Sequence, residues 1–134
     1  MDRTEARAAA VKLIYEWEMG GDGGEETRLG LLGVQPGEHE SEYMDALYRG
    51  VTEHCAELDK VIAAHAANWK LDRIARVNLC ILRTAVYELK AGEVPAPVVI
   101  NEALELTRVY SSPESVPFVN GVLGAILREK EAKE

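Results

Sequence analysis

Histidines, cysteines and paired carboxylates are the side chains of this 134-residue chain that could carry acid–base or metal chemistry. Their spacing argues against it. His39, His54 and His65 form no HExxH pair, in which two imidazoles one helical turn apart hold a zinc ion. His54 and Cys55 are adjacent, so on a helix they point to different sides and cannot share a ligand. Cys55 and Cys80 match no metal-ligand spacing. The N-terminal "MDRTEAR" lacks the apolar core of a secretory signal, so both read as reduced, buried thiols in a cytoplasm. Carboxylate pairs such as Glu25 with Glu26 and Glu102 with Glu105 are solvated faces, because no cleft-forming pattern accompanies them. "GGDGG" at 20–24 follows no strand and precedes only polar sequence, which is not the setting of a phosphate loop. The expectation is a binding protein that is not an enzyme, with no metal and no cofactor.

Charge constrains what it binds. The formal net charge is −8, whereas a chain whose main task is gripping nucleic acid is usually basic, since phosphate neutralisation supplies much of the affinity. Any RNA contact must therefore rest on a local patch or on a partner that brings positive charge. The plainer reading of the acidity is solubility. A hydrophobic fraction of 47% and a charged fraction of 28% suit a single soluble domain over 1–134.

The elements that must position any site read as helices throughout, because no stretch alternates with period two over a useful length. Ala6, Ala10, Leu13, Ile14 and Trp17 form an inward stripe over 4–19, with Thr4 suited to the N-cap. A weak helix is expected near 25–32. A longer one spans 41–65, with Tyr43, Leu47, Val51, His54, Leu58 and Ile62 on one side. "NWK" marks a bend before a helix over 71–90 that is apolar nearly all round and so belongs at the centre of the fold. Gly92 suits its C′ position and the prolines of "EVPAP" prevent continuation. The helix over 97–110 should face inward through Ile100, Ala103, Leu104, Thr107 and Tyr110. In the last helix, Asn120, Gly121 and Gly124 interrupt an apolar pattern. Two glycines cost about 0.8–1 kcal/mol each in a helix interior, which close packing against a neighbouring helix would offset, and a buried Asn120 would need hydrogen-bond partners.

Three stretches, "EARAAAVKLIYEWE", "ILRTAVYEL" and "VVINEALELTRVYSSPESVPFVNGVLG", together resemble the NusB family of bacterial transcription antitermination factors. The likeness runs from about Arg3 to Leu127, and its closing INEA…FVNGVL pattern is the specific part. The resemblance implies an all-α fold of two antiparallel three-helix sub-bundles. It implies binding of a short single-stranded boxA RNA together with NusE, a ribosomal protein, and entry into the RNA polymerase elongation complex, notably on ribosomal RNA operons. Carried over by position, Arg3 and Arg7 match arginines of the family's basic N-terminal segment. They are four apart, so both project from one side of the first turn, where guanidinium groups can bind phosphate or stack on a base; they could equally balance Asp2 and Glu5. Tyr15 falls at a family aromatic and either stacks on a base or packs. Phe118 matches the FVNG phenylalanine near the RNA surface and either contacts RNA or packs in the core. Asn78, Glu114 and Ser115 match the NusE-facing side.

Departures bear on affinity. Thr4 and Glu5 occupy part of the run where relatives carry arginine, and Pro117 stands where a basic residue can occur, so the chain alone should hold RNA weakly and with steep salt dependence. Arg83, a charge inside an apolar run, reads as a structural arginine, extending to the surface or pairing with a carboxylate, rather than as an RNA ligand. The same fold also serves as an N-terminal appendage of ribosomal RNA cytosine methyltransferases, for which a chain ending at Glu134 leaves no room for a methyl-donor domain. A helical adaptor that binds only proteins is the other alternative. Self-association as a homodimer is open at this stage.

Overall fold

The computed structural model describes residues 2–22, 24, 41–66 and 69–133. Six α-helices are present among them: α1 (Arg3–Glu18), α2 (Ser41–Glu53), α3 (Cys55–His65), α4 (Arg76–Ala91), α5 (Ala96–Tyr110) and α6 (Val116–Ala132). Short 3-10 turns, Leu71–Arg73 and Pro113–Ser115, precede α4 and α6. The all-helical expectation holds, and no strand occurs among the described residues. The weak helix expected near 25–32 lies outside them. By packing, the chain divides into two compact units, Met1–Glu53 and His54–Glu134.

In the first unit α1 packs against α2. The cap is Asp2 rather than Thr4: its Oδ1 accepts the Glu5 amide at 2.8 Å, which satisfies one of the unpaired donors of the first turn. Ala6, Ala10, Leu13 and Ile14 are fully buried, as the stripe requires, and Trp17 is half-buried. The alanines keep this face low, which suits close contact with Met44, Leu47 and Val51 on α2. Gly20, at φ 106°, takes the left-handed conformation that ends the helix.

One long helix over 41–65 does not form. His54 leaves the helical path at φ −113° and ψ 18°, and it is exposed rather than part of an inward stripe. The surrounding "VTEHCAE" contains neither glycine nor proline, so local propensity carries no sign of this break.

In the second unit α4 is central, packing on α3, α5 and α6. Every residue from Asn78 to Val86 is buried, followed by Glu88 and Leu89. The helix begins at Arg76 rather than at 71, because Ile74 and Ala75 are extended at ψ 131° and 136°. Buried hydroxyls are satisfied locally: Thr84 donates to the Cys80 carbonyl at 2.9 Å and Thr107 to that of Ala103 at 2.8 Å. Gly92 closes α4 at φ 71°, its amide donating to the Glu88 carbonyl, and Lys130 of α6 donates to the Leu89 carbonyl at 2.6 Å, a cation where the helix dipole is negative. Arg83, 3% exposed, meets Asp59 of α3 with two parallel bonds of 2.8 and 3.0 Å, the carboxylate pairing its position calls for.

The inward face of α5 is Val99, Ala103, Leu106 and Thr107. Ile100 and Leu104 are only half-buried and Tyr110 is 40% exposed, so the stripe is turned by about one residue from the expected one. On α6 the expectation of a buried amide and glycine is overturned at Asn120 and Gly121, while Gly124 is half-buried. Asn120 and Gly121 are both exposed. A Cβ at Gly121 would meet no described atom within 4 Å, and one at Gly124 only the Arg128 side chain, at 3.4 Å. The core of this helix is Val119, Val122, Leu123 and Ile126, which leaves Asn120 and Gly121 on the opposite face and removes close packing as the reason for the glycine.

Candidate nucleic-acid interface

Arg3 and Arg7 rise from the first two turns of α1 towards the ring of Tyr43 on α2. The guanidinium carbon of Arg3 lies 4.4 Å from the ring centroid and that of Arg7 5.5 Å, both within cation–π range. An Nη2 of Arg7 also donates to the Tyr43 hydroxyl at 3.3 Å. The two arginines are not equivalent: Arg3 is exposed, whereas Arg7 is 4% exposed. The picture of two equally projecting guanidiniums is thereby corrected, because four residues of α-helix rotate Arg7 about 40° further round, towards Tyr43. Tyr15 is half-buried two turns along the same helix.

The second unit holds a cavity of about 300 Å³. Trp69 and Phe118 meet edge to face in its lining, with centroids 6.0 Å apart at 67°. Asn78 and Ser115 lie deeper, joined by a bond from Nδ2 of the amide to the serine Oγ at 3.1 Å. Ser115 belongs to a small hydroxyl cluster, with Ser112 Oγ at 3.0 Å and Ser111 Oγ at 3.4 Å. Arg73 and Glu114 also line the cavity and are exposed. Asn78 is 5% exposed, and its Oδ1 has no hydrogen-bond partner among the described residues.

Phe118, Asn78, Glu114 and Ser115, singled out from the resemblance for two different roles, thus line one cavity. Arg3, Arg7 and Tyr15 sit together on α1 in the other unit. Three contributors escaped the sequence reading. Periodicity makes Tyr43 only an inward helix residue, and Trp69 is only part of a bend. Arg73 belongs to the triplet Lys70, Arg73 and Arg76, exposed at three-residue spacing into the start of α4; that periodic "KLDRIAR" was the available signal. The start of α4 carries no side-chain cap and no acidic residue in its first turn, so its amides and the nearby cations favour an anion.

No group of three or more histidine, cysteine or acidic side chains that could hold a metal is found among the described residues. Cys55 and Cys80 are free thiols, the first half-buried and the second buried. No described helix is long and apolar enough to cross a membrane.

An all-helical binding domain with cation–aromatic surfaces is the class these features define. The sequence model of the NusB family matches residues 4–128. The transcription antitermination protein NusB of Thermoanaerobacter sp. (strain X514) is 36% identical, over 100% of this chain and 96% of its own. That of Clostridium botulinum (strain Alaska E43 / Type E3) is 42% identical over 96% of this chain and all of its own. Among solved structures, the crystal structure of antitermination factors NusB and NusE in complex with double-stranded RNA superposes with a TM-score of 0.84. It is 27% identical and covers 95% of this chain and 96% of that one. The chain belongs to the NusB family, a family of non-enzymatic transcription regulators.

Proposed function

We propose that this chain acts in transcription antitermination by binding boxA-like single-stranded RNA jointly with a NusE ribosomal protein, and that the complex joins elongating RNA polymerase, notably on ribosomal RNA operons. It does so in the cytoplasm, without a cofactor. Arg3 meets RNA phosphate; Arg7 contributes by holding Tyr43 beneath it, and Tyr15 adds a half-buried ring on the same helix. Phe118 contributes aromatic surface to the RNA, while Asn78, Glu114 and Ser115 lie where RNA and partner meet.

The observation that carries this reading is the cavity: the FVNG phenylalanine, a tryptophan and an arginine gathered beside an uncapped helix start in a chain of net charge −8. Aromatic stacking contributes about 1–3 kcal/mol per base whatever the base, which a chain of net charge −8 needs. The acidic remainder steers a basic ribosomal protein towards it. The test is RNA binding by the protein, alone and with NusE, to a boxA-like strand and to a scrambled strand. The expected result is weak binding alone, tighter binding with NusE, and preference for the boxA-like strand. Equal affinity for both strands, or none for either, overturns the proposal.

A further inference from the structure

We infer that His65 is a pH-dependent clasp within the second unit, its doubly protonated ring tying the last turn of α3 to Glu129 of α6. This goes beyond the RNA reading above and stands or falls without it.

Hydrogen-bond chemistry sets the protonation state. Nδ1 of the half-buried His65 ring lies 2.7 Å from the Val61 carbonyl oxygen, one turn back on the same helix. Nε2 meets Oε2 of the Glu129 carboxylate, whose other oxygen accepts from Lys133 at 3.0 Å. A carbonyl and an ionised carboxylate accept hydrogen bonds and donate none. A neutral imidazole has one N–H and would turn a lone pair on one of them; the imidazolium donates to both. Two surroundings favour that charge. His65 is the basic residue of the last turn of α3, where the helix dipole is negative. Hydrogen bonds from Lys133 and then from His65 hold the Glu129 carboxyl below its ordinary value, so it presents an anion. The other charged groups around α3 are engaged elsewhere or exposed. From α4, Arg83 pairs with Asp59 and Tyr87 stacks on His54; in the turn before α4, Asp72 and Arg73 are exposed. Lys130 of α6 bonds the Leu89 carbonyl. The last helix is thus held at two points, by Lys130 on α4 and by the titrating contact on α3. Histidine changes charge between about pH 5 and 8. The clasp is closed on the acid side of that range, where the ring holds two protons. It opens on the alkaline side, where a lone pair faces the carboxylate, so its contribution to stability is lost as pH rises.

The experiment compares the full chain at about pH 6 and about pH 8, either side of the histidine range. Ring-nitrogen NMR shifts should show both nitrogens of His65 protonated at the lower pH and one at the higher. Amide protection in the last turns of α6, corrected for the intrinsic exchange rate, should fall about threefold across that interval, the size of a part-exposed ion pair. The wild type should also lose about 2–3 °C more in melting temperature over the same interval than His65→Gln does. That variant keeps an amide donor for Glu129 and cannot take the charge. Glu129→Gln, which keeps the histidine and alters an exposed position, should behave like His65→Gln. His54→Gln, which removes an exposed histidine, should behave like the wild type. A single ring proton on His65 at the lower pH, or equal losses in wild type and His65→Gln, overturns the clasp. A pH effect abolished by His65→Gln and kept by Glu129→Gln assigns the ring to its own helix end alone and also overturns it.

Discussion

Replacing Arg3 with alanine separates the two arginines of α1, which sequence position alone makes look alike. Arg3 is exposed with its guanidinium 4.4 Å from the Tyr43 centroid, and Arg7 is 4% exposed beneath it. Only Arg3 is open to solvent, and so to a phosphate, where it stands. For a single strand each neutralised phosphate adds about 0.7 to the slope of log affinity against log salt. Arg3→Ala should therefore flatten that slope by about 0.7. Raising salt fourfold, from about 50 to about 200 mM, should then shrink the gap between wild type and variant by roughly 2.6-fold. Arg7→Ala should leave the slope unchanged. Its effect should fall on stability and on the presentation of Tyr43, because a bond to the hydroxyl and a cation–π contact are lost. The assay is anisotropy of a boxA-like strand titrated with the NusE complex at four salt concentrations, beside thermal melts of each variant. Equal flattening by both substitutions, or none by Arg3→Ala, would refute the assignment of phosphate contact by exposure.

Three further outcomes follow from the packing. Asp59→Ala removes the carboxylate that meets Arg83, whose side chain is 4% exposed; breaking a buried pair costs about 3–5 kcal/mol. The 20% exposure of Asp59 places the loss near the lower figure, a fall in melting temperature of about 10 °C, and a fall below a quarter of that would show the pair to be unimportant. Gly121→Ala should stabilise the protein by about 0.8–1 kcal/mol, because the position is exposed, mid-helix and open; a lower melting temperature would mean that the small residue is needed in the free protein. Glu129 has its carboxyl held below the ordinary value of 4.5, first by a hydrogen bond from Lys133 and then by one from His65. A depressed carboxylate stabilises the fold above its unfolded value and ceases to do so as pH falls through the folded one. Melting temperature should thus drop on acidification below about 4.5 by slightly more in the wild type than in Glu129→Gln, and parallel curves would remove this contribution.

The parts of the fold that could be read in the chain are those where one local signal dominates. The run Asn78–Val86 is buried all round, and its apolar density says so without reference to neighbours. Gly92 closes α4 because φ 71° favours a residue without a side chain. The illegible parts depend on which neighbour covers which face. Periodicity placed Ile100 and Tyr110 inward on α5, yet Val99 and Leu106 hold that position, since a stripe wide enough for a core leaves its centre undetermined within a residue or two. The helix end at His54 has no breaker to announce it.

The candidate site divides the same way, and its division says where function resides. Arg3 and Arg7 are legible as a pair through helical spacing, but their difference comes from Tyr43, a residue of another helix. Phe118, Asn78, Glu114 and Ser115 were legible only through resemblance. What brings them to one cavity is α4 packing against α6, with Asn78 bonded to the turn at Ser115, while Trp69 and Arg73 reach the same cavity from the segment before α4, which no short-range pattern links to the FVNG segment. Asn78 is the informative case. An asparagine inside an apolar helix is disfavoured unless its amide is satisfied, yet here one half bonds Ser115 and the other half bonds nothing described. A core selected for stability alone would carry an apolar residue of similar size at that position. Its presence beside an aromatic pair and an uncapped helix start is the physical reason to look for a hydrogen-bonding ligand there, independent of any relative.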